Sequence, residues 1–324
     1  MKSISKSYLT ALLLVAWSVV AQAQTMEEIP LGAASTSAAS TGAVVDGNAD
    51  SSSTNENTGP EAVAFDGTYI WIATQFNNRL TRIRASDRSV AGTFTVGNRP
   101  VALLYADSHL WVANLLSNNV MKINPSTGAV VGKFGVGNGP GGLAYDGSNI
   151  WVANRNSNNV TKLSAKDGAK LGTFAVGKRP ISLVSDGSTI WVTNNFGNSV
   201  TRLNSSGTVV GTYKVGRGPF GLAYDGHSIW VTNYFSKSLT RLRAADGIDL
   251  GTVPVGDGAA GIIFDGANLW VVNNGDNTLM KITTLGAVLA TYETGQRPFA
   301  VAFDGRRVWV PNFASNSVST TPAG

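Results

Sequence analysis

Short apolar runs of four to six residues recur along this chain, and Gly, Asn, Asp or Pro breaks them at regular places. In residues 139 to 177, GPGGLAYDGSNIWVANRNSNNVTKLSAKDGAKLGTFAVG, the runs are 142–145, 149–153, 159–164 and 171–176. Their length and period suit strands, and none carries a helical repeat. Asp146-Gly147 and Asp167-Gly168 separate the first pair and the last pair, as tight hairpins require. Each set of four therefore predicts one small antiparallel sheet.

The set itself repeats. Trp71, Trp111, Trp151, Trp191, Trp230, Trp270 and Trp309 stand 39 or 40 residues apart in variants of the same stretch. A fixed period of this length means that no unit buries its apolar surface alone, so neighbours must stack. Seven four-stranded units predict an all-β fold, a seven-bladed β-propeller of four-stranded antiparallel blades, over residues 59–324.

Positions inside the strands agree. Ala62, Ala102, Gly142, Ser182, Gly221, Gly261 and Ala300 follow the loop proline (Ala259 in the sixth copy) by two residues, and all are small. That suits innermost strands crowding an axis. Their neighbours Val63, Leu103, Leu143, Leu183, Leu222, Ile262 and Val301 are larger and apolar, as the opposite face of a period-two strand should be. Pro254 falls in a fourth strand, which places that strand at an outer edge.

The last unit stops after its third strand, near Thr320, so something must close the ring. Residues 41–45, TGAVV, match 127–131 at the start of a fourth strand. Residues 41–46 are therefore expected to complete the seventh blade; a chance match in low-complexity sequence is the alternative. The rest of 24–58 is rich in Ser, Thr, Ala, Gly and Asn and reads as a leader with little to bury. Asp46-Gly47-Asn48-Ala49-Asp50 alternates like a Ca²⁺ loop but lacks the glycine and the terminal glutamate, and reads as polar linker.

Residues 1–23 have the form of a secretory signal: Lys2 and Lys6, an apolar stretch from Leu9 to Val20, then Ala21-Gln22-Ala23 before Gln24. The stretch is short for a membrane span, which needs about 20 residues. A periplasmic or secreted protein is expected. The chain has no cysteine, which rules out disulfides, thiol catalysis and thiolate metal sites. The formal charge of +5 falls to +3 once Lys2 and Lys6 are removed, too small a sum to argue for nucleic acid.

The pattern P-x-x-L-A-Y-D-G-x-x-I-W-V-A-N-x-x-x-N-x-V-T-K-L, followed by G-T-F-x-V-G, resembles the YVTN-type and virginiamycin B lyase-like propeller repeats of bacteria over residues 59–320. The resemblance implies the fold strongly and the activity weakly, because the group holds binding and surface proteins besides lyases that open a cyclic depsipeptide with a histidine base and Mg²⁺. This chain departs from the lyase pattern. Its two histidines, His109 and His227, fall in the turn between first and second strands, at the end opposite the loops with which propellers usually bind. Mg²⁺ is expected only if the lyase alternative holds. Otherwise no cofactor, no metal and no catalytic residue is expected.

Residues that recur in most copies read as structural. The Asp-Gly turns, the basic ladder Arg82, Lys122, Lys162, Arg202, Arg241 and Lys281, and Asn pairs such as Asn114 with Asn118 belong here. The ladder is expected to make ion pairs or a solvated rim. An amide ring offered to sugar hydroxyls is the functional alternative for the Asn pairs.

Function is sought where the copies differ. The loop before each first strand carries Arg99, Lys178, Arg179, Arg217 and Arg297, with Asp257 its acid in another copy. Neighbouring loops add Phe76, Leu115, Leu116, Phe196, Tyr234, Phe235 and Phe313. Basic groups around a central opening focus a positive potential, and loop aromatics beside arginine mark recognition surfaces. These residues are expected to bind an anionic or amphipathic ligand, or an envelope protein, on a monomeric, non-catalytic propeller. A lyase acting on a cyclic peptide or polysaccharide and a purely structural surface protein are the alternatives.

Overall fold

The computed structural model of the chain describes residues 24–31 and 58–324. Seven sheets follow one another along the chain, each a simple meander with its first strand innermost. In the first blade the strands are Pro60–Phe65, Tyr69–Thr74, Arg79–Arg84 and Val90–Thr95. The third gives Pro140–Tyr145, Asn149–Asn154, Asn159–Ser164 and Lys170–Ala175, close to its four apolar runs. The one helical element among the described residues is a single 3₁₀ turn, Asn195–Gly197.

The axis is as crowded as the small residues predict. A Cβ added to Gly142, Gly221 or Gly261 would stand 2.2, 2.5 or 2.7 Å from a carbonyl oxygen of the next first strand. Each of the seven tryptophans is fully buried. Trp71 packs with Leu110, Val112 and Ile123 of the following blade, and Trp309 closes the circle among Ile70, Ile72 and Ile83 of the first. Truncating an aromatic in such a place to alanine costs about 3–5 kcal/mol.

The Asp-Gly turns do more than shape the hairpin. Asp66 accepts the turn amides of Thr68 and Tyr69 on one oxygen and the Trp71 indole N–H on the other, at 2.7 Å. Five other blades repeat that indole bond at 2.6–2.8 Å. The second blade breaks the rule. Ala106 replaces the aspartate there, Asp107 and Ser108 take positive φ, and the buried Trp111 indole N–H has no hydrogen-bond partner among the described residues.

The basic ladder is neither a solvated rim nor, in the main, a set of ion pairs. Each cation lies 4.9–5.5 Å over the tryptophan of its own blade. Most also reach across: Lys122 donates to the Ala165 carbonyl, Lys162 to Ser205 and Arg202 to Ala245. The cation–π contacts hold each cation within its own blade and the carbonyl contacts tie most blades to the next, which explains why the ladder recurs.

Closure uses a segment that the sequence pattern did not single out. Strand β2 (Glu27–Pro30) lies antiparallel to Ser317–Pro322 and fills the outer place in the seventh blade. Strand β1 (Gln24–Thr25) adds a fifth, parallel strand to the sixth blade. Ile29 takes the register that Phe94 holds in the first blade, and Met26 and Leu31 pack into the cores on either side. Glu27 pairs with Arg88 at 2.9 Å and Arg307 at 3.2 Å, linking the first blade to the last. Residues 41–46, expected in that place, and the 46–50 linker lie outside the described residues.

Candidate ligand-binding face

At one end of the ring, two loops of every blade are zipped together by the same pair of backbone bonds. In the second blade Leu115 N–H donates to the Arg99 carbonyl and Leu116 N–H to that of Asn98. In the fourth, Asn195 and Phe196 donate to Arg179 and Lys178; in the fifth, Tyr234 and Phe235 donate to Gly218 and Arg217. The zippers hold the second-to-third loop beside the loop that enters the first strand.

The mouth-side residue of the entry loop has positive φ in all seven blades. Four are glycines, Gly59, Gly139, Gly218 and Gly258; the others are Arg99, Arg179 and Arg297, at φ 56, 54 and 55°. Left-handed backbone costs a residue with a Cβ about 1–2 kcal/mol. Three blades therefore hold arginine in a conformation for which glycine is the default. Their amides are fixed from the preceding blade, where Asn78, Asn158 and Asn277 each accept an N–H at 2.8 Å. This is the work of the second Asn of each pair, which itself sits at positive φ. The first Asn of each pair is wholly buried, from Asn114 to Asn312.

Arg179 lies 4.5 Å over Phe196, Arg297 lies 5.1 Å over Phe313, and Arg99 Nε donates to Gln75 at 2.6 Å. Lys178 and Arg217 are exposed on the outer ring, one step farther from the axis. Asp257, the acid among these loops, is paired with Lys237 at 3.0 Å. The predicted aromatics separate into two kinds. Phe76, Phe196 and Phe235 are 57, 61 and 60% exposed, while Tyr234 and Phe313 are half-buried.

Most of the aromatics join one chain of rings. Phe76, Phe313, Phe299, Phe220, Tyr234 and Phe235 follow one another at centroid distances of 5.4, 5.7, 6.3, 6.1 and 5.2 Å. The arc runs from the fifth blade over small Ala260 of the sixth to the seventh and first. Tyr234 O–H donates to Asn274 across it at 2.9 Å. Phe196, beneath Arg179, stands apart from this chain.

Below the arc lies an axial cavity of about 190 Å³ lined by the first strands, with Glu61, Arg155, Phe220 and Phe299 at its wall. Burial pushes the Glu61 carboxyl up, against the pull of Arg155 and Arg99, and pushes the Arg155 guanidinium down. Sequence reading missed Glu61, Gln75, Arg155, Phe220 and Phe299. The available signal was variation at two registers: the residue after the loop proline is Glu61, Val101, Gly141, Ile181, Phe220, Ala260 and Phe299 in turn, and the residue after the second strand varies from Gln75 and Leu115 to Arg155.

His109 opens the second strand of the second blade rather than lying in the turn, and His227 lies in the first-to-second turn of the fifth; both are at the end away from this face. Among the described residues no three His, Cys, Asp or Glu side chains come together as metal donors.

No family model matches the sequence, and no curated protein matches it. Solved structures do resemble it. A Kuenenia stuttgartiensis hydrazine synthase chain aligns with a TM-score of 0.74 at 19% identity, over 83% of this chain and 97% of that one. A streptogramin B lyase aligns at 0.72 and 18%, over 82% and 94%. A catalytically inactive virginiamycin B lyase from Staphylococcus aureus with quinupristin aligns at 0.71 and 20%, over 82% and 96%. At these identities the likeness establishes the β-propeller fold alone.

Proposed function

We propose that this chain is an exported, non-catalytic propeller, akin to the YVTN-type repeat proteins, that binds an amphipathic anionic ligand on the face just described. The observation that carries the reading is the placement of Arg99, Arg179 and Arg297 at left-handed positions that the other blades give to glycine. A frame residue would follow the repeat. A side chain held against backbone preference at the rim of an opening is better explained by what it meets there. The aromatic arc supplies the apolar partner surface, and the arginines supply charge-assisted donors.

Titration calorimetry of residues 24–324 with aryl carboxylates and N-acylated acidic peptides tests this reading. Binding should weaken as salt rises, stay unchanged by a chelator, and fall at least tenfold in Phe299→Ala/Phe313→Ala. Chelator-sensitive cleavage of a cyclic depsipeptide would instead favour the lyase alternative. Binding that ignores both salt and the aromatic pair would overturn the proposal.

A further inference from the structure

The third blade departs from the repeat at two places that touch. Its residue after the second strand is Arg155, and its residue after the loop proline is Gly141. Arg155 lies across that glycine: a Cβ at 141 would stand 1.9 Å from Nε and 2.7 Å from Cζ. The other blades carry Glu, Val, Ile, Phe, Ala or Phe at this register, each with a Cβ. Only the third blade clears room for a guanidinium at the axis.

That guanidinium is under-satisfied. Nη2 donates to the Gly141 carbonyl at 3.3 Å, while Nε is buried with no hydrogen-bond partner. Glu61 is the one carboxylate on the cavity wall, and it forms no ion pair with Arg155 among the described residues. A buried Nε–H without an acceptor is costly, and a planar guanidinium is best satisfied by a carboxylate meeting two of its N–H groups.

We infer that the ligand carries a carboxylate that enters the axial cavity and is bound by Arg155, with its apolar body lying on the aromatic arc. The inference rests on the proposed role of this face and names the group recognised there. Size agrees. A cavity of roughly 150 Å³ holds a benzene-sized molecule, so about 190 Å³ takes a carboxylate on a short chain or one ring and excludes a folded polymer. Glu61 is a competing anion in the same space. It disfavours ligands with a second negative charge at that end.

A free acid and a peptide C-terminus share this chemistry, so two probe pairs are needed. The first is 4-phenylbutyrate with its amide; the second is acetyl-Ala-Ala-Phe with its C-terminal amide. Each is titrated into residues 24–324 by calorimetry, with Arg155→Leu and Glu61→Gln alongside. Arg155→Leu installs the residue that the second blade carries at the same register, Leu115, and its Tm checks the fold directly. The acid of at least one pair should bind ten times or more tightly than its amide. Arg155→Leu should erase that difference without abolishing amide binding, and Glu61→Gln should strengthen the acid. The favoured pair tells which source of carboxylate the cavity takes. Equal binding of acid and amide, lost when the rim arginines are removed, would overturn the inference and leave the face reading intact. No binding of any probe would overturn both.

Discussion

Single residues hold the frame through one recurring arrangement, a turn aspartate that receives an indole. At Asp186, burial alone would raise the carboxyl. Bonds from the Thr189 hydroxyl, the Trp191 indole and the turn amides outweigh that and hold it below the ordinary range. A lowered acid stabilises the fold at pH above its unfolded value, near 4, and loses that contribution as pH falls through the folded value. Asp186→Ala leaves the indole without an acceptor and should cost about 2 kcal/mol at pH 7 by denaturant unfolding. The gap to the natural chain should narrow steadily in acid; a gap constant with pH would contradict the assignment. The tryptophan and aspartate positions were legible because they repeat. Their bond was not, since Asp-Gly already has a sufficient local use in a hairpin. The ladder was misread for a similar reason: a lysine or arginine on a strand looks solvated until the neighbouring blade supplies a carbonyl and its own blade a ring.

At the scale of elements, repetition made the seven blades readable nearly strand for strand, and its absence hid the closure. Glu27-Glu28-Ile29-Pro30 shares no motif with the fourth strands it replaces. It is too short for a period to show, and only Ile29 occupies the register of their aromatic. Residues 41–45 match a fourth strand in composition and lie outside the described residues. What decides the place is a pair of contacts that no local pattern encodes: Glu27 between Arg88 and Arg307, and Ile29 against the Trp309 cluster. A chain beginning at residue 32 loses the strap, leaves the edge of the seventh blade unpaired, and uncovers the apolar groups beneath. Its Tm should fall by 5 °C or more, on the order of 2 kcal/mol or above for a domain this large, and first- and seventh-blade amides should exchange fastest. Unchanged stability and protection would mean that other residues close the ring.

Over the whole molecule, a nearly sevenfold frame carries a mouth without symmetry. Aromatic rings span the fifth, seventh and first blades, while Arg99, Arg155 and Arg179 belong to the second, third and fourth. The rim arginines and exposed phenylalanines were legible as departures from the repeat in loops. Glu61 and Arg155 were passed over because they stand at strand boundaries, where one residue of any type reads as an edge. The three left-handed arginines allow the frame and the mouth to be tested separately. Arg99→Gly, Arg179→Gly and Arg297→Gly restore the residue that the other blades use, relieving backbone strain while adding some unfolded-state entropy. The decisive measurement pairs the thermal unfolding of this triple variant with its affinity for 4-phenylbutyrate and acetyl-Ala-Ala-Phe. Tm within a few degrees of the natural chain, with affinity lower by tenfold or more for whichever acid the natural chain binds, is the predicted result. Undiminished affinity in a stably folded triple variant would contradict the claim that these arginines are there to bind.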